Sequence, residues 1–203
     1  MEIIRDMISE ELLLAYGAKK MRYKKGEMLL HAGEMPRYFY RIASGEVKMN
    51  NFNDEGKEFI QGMFSAGDSF GEPPLFIDKP YPANAVALTD AEVYTLPKET
   101  FFSLLKENPE AHRDITSALS QRLYYKAVMA SEISSQDAEH RIIKLIDYFK
   151  EAVGIPQSRP YHVTFTRQQI ADLTGLRVET VIRAIKSLEK KGELRINERK
   201  IER

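Results

Sequence analysis

Residues 166–191, TRQQIADLTGLRVETVIRAIKSLEKK, constrain the fold of this chain more than any other stretch. Ala171, Gly175 and Val181 stand four and then six residues apart. That spacing lets two short helices cross closely, with a small residue where they touch, a glycine in the turn and an apolar residue holding the second helix down. The pattern is a helix-turn-helix, whose second helix is shaped for the major groove of DNA. Thr166 is placed to cap the first helix, with Gln169 reciprocating three residues on as a capping box. The first helix runs through Ile170, Ala171 and Leu173 and breaks at Gly175; the second begins near Val178. Val181, Ala184, Ile185 and Leu188 make its inner face. Glu179, Thr180 and Arg183, with Lys186 one turn further on, make its outer face.

Glu179 and Arg183 are four residues apart and so lie side by side on a helix. A glutamate in the major groove accepts from a cytosine amino group, and an arginine forks onto guanine O6 and N7; each good contact of this kind gives roughly 1–3 kcal/mol of discrimination. Taken alone, the same two residues are an ordinary surface ion pair worth a few tenths of a kcal/mol. Their place in the motif, with Arg167, Gln168 and Arg177 near to hold phosphates, favours DNA. Arg177 stands where a capping Ser or Thr is expected, so the second helix opens with free N–H groups that a DNA phosphate, or else water, can satisfy.

Charge supports this reading. Residues 159–203 hold 11 Lys+Arg against 6 Asp+Glu, while the rest of the chain, with net charge zero overall, holds 19 against 24. A basic tail on an acidic body suits one part that meets phosphate and one that does not. The absence of cysteine excludes disulfides, thiolate-bound metal and Cys-bound iron–sulfur clusters, and fits a reducing cytoplasm. No apolar run approaches the roughly 20 residues of a membrane span. The opening MEIIRDMISEELLLAYG is acidic and interrupted by charge, unlike a signal peptide.

The remainder divides by texture. Residues 2–16 space Ile4, Ile8 and Leu12 as a short helix. From Met21 to Leu96, short apolar stretches alternate with turn signals at intervals of about ten residues, the rhythm of an antiparallel sandwich or barrel. FYRIASGEVKMNNF reads as strand, tight turn, strand, and KEFIQGMF as a further strand. KETFFSLLKEN is a short helix closed before Pro109. Residues 110–136 contain no Pro or Gly and carry a narrow seam through Ile115, Leu119, Arg122, Lys126, Met129 and Ile133. Periodicity alone suits that seam equally to its own domain and to a twin copy. AEHRIIKLIDYFKEA (138–152) is an amphipathic helix; Gly154 to Pro160 form a loop; YHVTF is a strand; GELRIN and RKIE make a hairpin, which gives the motif a wing.

These residues resemble the Crp/Fnr family of bacterial transcription regulators over nearly the whole chain. TRQQIA with G-x-x-VETVxR resembles its helix-turn-helix, and GEMLLHAGE, YFYRIASGEVKM and FSAGDSFGE resemble its cyclic-nucleotide-binding-like roll. The resemblance implies an α+β fold: an N-terminal antiparallel β-roll (a jelly roll) with flanking helices, a long dimerisation helix at about 110–136, and a C-terminal winged helix-turn-helix. It implies an effector-sensing domain over 1–136 and a DNA-binding domain over 137–203. It also implies a homodimer on a roughly palindromic operator, with RNA polymerase as a further partner. Val178 stands where the Crp branch has arginine, so the helix is closer to the Fnr type; Glu179 and Arg183 suggest a TGA-like core in each half-site, and Val178 is placed for a thymine methyl. Ile182 departs from the polar residue common in Fnr-type helices and leaves the outer bases open.

The effector region departs further. Phe70-Gly71-Glu72 matches the start of the family's phosphate-binding cassette, in which Glu72 would hold a ribose hydroxyl. The arginine and Ser/Thr expected about ten residues later are replaced by Lys79-Pro80-Tyr81-Pro82-Ala83-Asn84. A phosphate buried without a paired cation costs several kcal/mol, and Lys79 lacks the arginine fork. Pro73-Pro74 removes two backbone donors beside Glu72. The expectation is an effector other than cAMP, or none, with Gly71, Glu72, Tyr81 and Asn84 as pocket candidates. Iron–sulfur sensing is excluded by the lack of cysteine, and the scattered His31, His112, His140 and His162 do not form a haem ligand set. The aromatic group Tyr38, Phe39, Tyr40, Phe64, Phe70 and Phe76 is expected to be roll core. No metal-ligand spacing, phosphate-cradling glycine loop or nucleophile–histidine arrangement marks an enzyme. The competing reading is a cyclic-nucleotide-sensing module whose C-terminal helices bind protein.

Overall fold

In the computed structural model, residues 8–56, 58–134, 137–197 and 200–203 are described, apart from the side chains of residues 125, 129 and 131–134. The fold is α+β. Internal contacts divide the chain within its longest helix, one compact unit ending at Gln121 and the other running from Arg122 to Arg203.

The first unit is a roll of two four-stranded antiparallel sheets. Its strands are β1 (Lys19–Tyr23), β2 (Met28–Leu30), β3 (Tyr38–Ser44), β4 (Glu46–Phe52), β5 (Glu58–Ser65), β6 (Ser69–Phe70), β7 (Asn84–Ala87) and β8 (Ala91–Pro97). The sheet orders are β1-β8-β3-β6 and β2-β7-β4-β5. FYRIASGEVKMNNF does form two strands around a tight turn at Gly45, but they do not pair: β3 pairs with β8 and β6, β4 with β5 and β7. The turn carries the chain from one sheet to the other.

Alternation along β3 and β8 explains the two cores of this unit, because successive strand residues face opposite ways. Tyr40, Ile42 and Val93 join Leu30, Val47, Met49, Phe70 and the small Ala83, Ala85 and Ala87 in one cluster. Phe39, Tyr94 and Leu96 join a second cluster with residues of four helices, α1 (Glu10–Ala15), α2 (Glu72–Ile77), α3 (Lys98–Glu107) and α4 (Pro109–Ser134). Phe39 stacks on Phe101 at 4.3 Å, and Tyr40 on Phe70 at 5.2 Å. Phe39, Tyr40 and Phe70 are thus core, and Phe64 packs against it, as expected; Tyr38 and Phe76 are instead partly exposed.

Helix ends follow local chemistry. The helix expected over 2–16 begins at Glu10, because Ser9 caps it, its hydroxyl accepting from the Leu12 N–H at 3.2 Å; residues 1–7 lie outside the described residues. Asn108 closes α3 and Pro109 opens α4, as the proline signal requires. Helix α2 lies where the sequence pattern predicts no element. Its prolines stand in the first turn, where a missing N–H breaks no helical bond and the fixed φ favours the helix. The seam of α4 is split. Ile115 is buried, and Ala118 and Leu119 pack on the roll's helical core, whereas Leu123 and Tyr124 are 70% and 75% exposed.

The second unit contains α5 (Ala138–Ala152), β9 (His162–Val163), α6 (Arg167–Thr174), α7 (Val178–Lys190), β10 (Arg195–Asn197) and β11 (Lys200–Glu202). Ile142, Leu145 and Ile146 of α5, Ile170 and Ala171 of α6, and Val181, Ile185 and Leu188 of α7 are buried. The expected hairpin forms from β10 and β11, and β9 adds a third strand to it through Val163 and Ile201. Residues 198–199 at its tip lie outside the described residues.

Candidate nucleic-acid interface and effector region

The helix pair is built as its sequence dictates. Thr166 Oγ1 accepts from the Gln169 N–H at 3.1 Å, and the Gln169 side chain accepts from the Thr166 N–H at 2.8 Å. Gly175 ends α6 with φ at 69°, in the left-handed region where a side chain is strained, and the Leu176 N–H then returns to the Ala171 carbonyl at 3.0 Å. Fully buried Ala171 gives the room for this close turn. Arg177 is the residue before α7, with extended backbone and no side-chain cap.

Four buried residues, Val181, Ala184, Ile185 and Leu188, pin α7 down on one side. On the other side Glu179, Arg183 and Lys186 are exposed; Val178 and Thr180 at the edges are half-buried. Thr166, Gln168 and Arg177 are exposed and Arg167 is half-buried. The Gln168 amide is engaged, donating to Oδ1 of buried Asp172 at 2.8 Å. Among the described residues, the side chains of Arg167, Arg177, Glu179, Arg183 and Lys186 form no hydrogen bond or ion pair. The helix therefore presents ionised groups whose hydrogen-bonding capacity the protein itself does not use, beside uncapped backbone N–H groups at its start.

The supports of this surface were not legible as motifs. Lys191, just past α7, meets Glu139 at the start of α5 at 2.5 Å and holds the Glu139 carboxyl below the ordinary carboxylate range. Arg203 pairs with Asp147 of α5 at 2.9 Å and donates to the Glu193 carbonyl at 2.7 Å, tying the wing sheet to α5 and to the end of α7. Buried Lys150 donates to the carbonyls of Gln157 and Arg203, both at 3.1 Å. The amphipathic spacing of α5 placed Lys150 and Asp147, but the Arg203 that meets both is more than 50 residues away, beyond any local pattern.

In the roll, Gly71, Glu72 and Tyr81 come together. Gly71 has φ at 74°, and a β-carbon there would stand 3.2 Å from both the Tyr81 ring and Leu30. The Tyr81 ring thus lies directly over the cassette glycine. Glu72 is 1% exposed and accepts from the Ser69 hydroxyl, a partner that no sequence motif singled out. The Tyr81 hydroxyl is buried without a hydrogen-bond partner among the described residues, and burial raises its pKa well above the ordinary phenol value. Burial likewise pushes Tyr40 up to about 12. Asn84 is used elsewhere, its side-chain oxygen accepting from the Ala32 N–H at 2.9 Å. Two open clefts of about 410 and 470 Å³ lie elsewhere on the unit, beside Arg41 and Glu10 and beside Tyr23 and Asp90. Among the described residues, no three His, Asp or Glu side chains cluster as metal ligands, and no helix is long and apolar enough to cross a membrane.

Comparison with known proteins places both halves. Residues 20–108 match the cyclic nucleotide-binding domain, and residues 140–202 the Crp-like helix-turn-helix domain. The cAMP-activated global transcriptional regulator CRP of Haemophilus influenzae is 30% identical over 170 residues, covering 83% of this chain and 76% of that protein. The cyclic AMP receptor protein of Thermus thermophilus is 25% identical over 187 residues, covering 92% and 83%. The solved structure of the c-di-GMP-responsive global regulator CLP of Xanthomonas campestris superposes with a TM-score of 0.75 at 24% identity, covering 94% of this chain and 95% of that one. That of FixK2 of Bradyrhizobium japonicum gives 0.74 at 20% identity, covering 91% of each. At those identities the structures support the fold alone.

Proposed function

The chain belongs to the Crp/Fnr family of DNA-binding transcription regulators, and from that membership we propose that it binds a roughly palindromic operator as a homodimer, in response to an effector other than cAMP or to none. Residues 137–203 are the DNA-binding domain and residues 1–136 the sensing and dimerising one. The observation that carries the proposal is the outward face of α7, where Glu179, Arg183 and Lys186 are exposed and, among the described residues, unengaged. Glu179 and Arg183 address a G·C pair in a TGA-like half-site, Val178 lies against a thymine methyl, and Thr180 and Lys186 flank them. Thr166, Arg167, Gln168 and Arg177 hold phosphates. The exposed Leu123 and Tyr124 on α4 support pairing of two copies through that helix. RNA polymerase is the second partner that the family resemblance implies.

The departure from cAMP rests on the roll. The relatives named for cAMP are similar to this chain across most of its length, yet here Tyr81 covers Gly71, Ser69 engages Glu72, and the stretch Lys79-Pro80-Tyr81-Pro82-Ala83-Asn84, where an anion-pairing arginine and hydroxyl would be needed, holds no arginine, serine or threonine. A cyclic phosphate placed there has no forked cation to meet it.

Selection of bound duplexes from a random pool by the full chain tests the proposal. Enrichment of an inverted repeat with a TGA-like core is expected. Recovery of unenriched sequence, with retention of a protein partner through the C-terminal helices, favours the competing protein-binding module.

A further inference from the structure

One residue on the outward side of α7 is out of keeping with its neighbours. Ile182 is 42% exposed, set among exposed Glu179, Arg183 and Lys186. A single exposed aliphatic residue is unremarkable on most surfaces. Its register here is informative. Ile182 follows Val178 by four residues, so the two form a short apolar stripe running beside the ionic stripe of Glu179 and Arg183. The inner face is already filled by Val181, Ala184, Ile185 and Leu188. A β-branched residue in a helix has one strongly preferred χ1 rotamer, so the γ-methyl of Ile182 is held in place before any partner arrives. The helical rise separates Val178 and Ile182 by about 6 Å along the axis, close to two base-pair steps of B-DNA. In the major groove the one apolar feature on a base edge is the thymine 5-methyl group. A polar base edge pressed on Ile182 would lose water and gain no partner.

We infer that Ile182 is a specificity-determining residue that selects a thymine flanking the base pair addressed by Glu179 and Arg183, through contact between its side chain and the thymine 5-methyl group. The inference rests on the reading of α7 as the DNA-reading helix, and adds to it a base outside the TGA-like core.

The test uses the full chain and a duplex recovered from a random pool, with each thymine replaced singly by deoxyuridine, which lacks only the methyl group. At one flanking position the wild-type protein is expected to bind the deoxyuridine duplex about fourfold more weakly, the factor that burial of one methyl group supplies. Ile182→Ala, at an exposed position where alanine favours the helix, is expected to bind both duplexes equally at that position, and Ile182→Val to keep part of the preference. Equal deoxyuridine penalties in wild type and Ile182→Ala at every thymine overturn the inference while leaving sequence-specific binding intact. A pool that yields no enriched sequence overturns the inference together with the reading beneath it.

Discussion

Glu179 and Arg183 stand one turn apart on the exposed face of α7, and no ion pair joins them. Such i,i+4 pairs ordinarily add about 0.2–0.5 kcal/mol to a helix when they close. Left open, both groups are available to a partner. Arg183→Ala is expected to relax discrimination at one guanine of each half-site by about 1–3 kcal/mol. Arg177→Ala is expected to weaken binding to all sequences alike and to shrink the slope of log affinity against log salt by about one per subunit, hence about two for the dimer. Titrations of matched and guanine-substituted duplexes at several salt concentrations separate the two. An Arg183→Ala protein that discriminates like the wild type contradicts the assignment.

Thr166 and Gln169 satisfy each other's backbone N–H groups at the start of α6. Thr166→Ala should destabilise the protein by about 1 kcal/mol, and Thr166→Asn, which keeps a capping oxygen, by much less. Urea unfolding reads both values. Equal losses in the two variants would show that the cap is not what holds this end.

Tyr81 offers a paired test of the roll. Its hydroxyl is buried and unpartnered among the described residues, so Tyr81→Phe should leave stability unchanged or raise it by up to about 1 kcal/mol. Millimolar cAMP should leave the thermal midpoint of the wild type where it is, because a ligand held only by the folded state must raise that midpoint. A rise of several degrees would show that the Tyr81 ring yields to the nucleotide.

The Glu139–Lys191 contact has a pH signature. The hydrogen bond from Lys191, then that from Ser187, holds the Glu139 carboxyl below its ordinary value of 4.5. Because the folded pKa is the lower one, this contribution is complete above 4.5 and fades as pH falls through the folded value. Glu139→Gln removes it. The variant's stability should therefore decline less steeply than the wild type's on the acid side, measured by denaturant unfolding from neutral pH downward. Parallel acid limbs would count against the contact.

What was legible in the sequence was local. Thr166–Gln169 and Gly175 fix α6 through neighbours three to six residues away, and the spacing of Val181, Ala184, Ile185 and Leu188 gives the buried face of α7 without further information. Strand identity in the roll was legible, but pairing was not: β3 adjoins β4 in sequence, yet its partner β8 lies some 50 residues on. The helix α2 was missed because Pro73-Pro74 reads as a breaker unless it is known to lie in a first turn. Periodicity made α4 a helix but did not say that Ile115 faces the roll while Leu123 faces outward. The fit of Tyr81 over Gly71 joins residues ten apart through the fold, not through the helix or strand they occupy.

The central claim is that α7 distinguishes base pairs through Glu179 and Arg183. The most direct measurement is the affinity of the full chain, at one fixed salt concentration, for a duplex with TGA and TCA half-sites and for the same duplex with the G·C pair of each half-site inverted to C·G. Tighter binding of the first by at least about 1 kcal/mol per half-site is predicted, on the order of the ordinary penalty for one mismatched pair. Equal affinity for the two duplexes would contradict the claim.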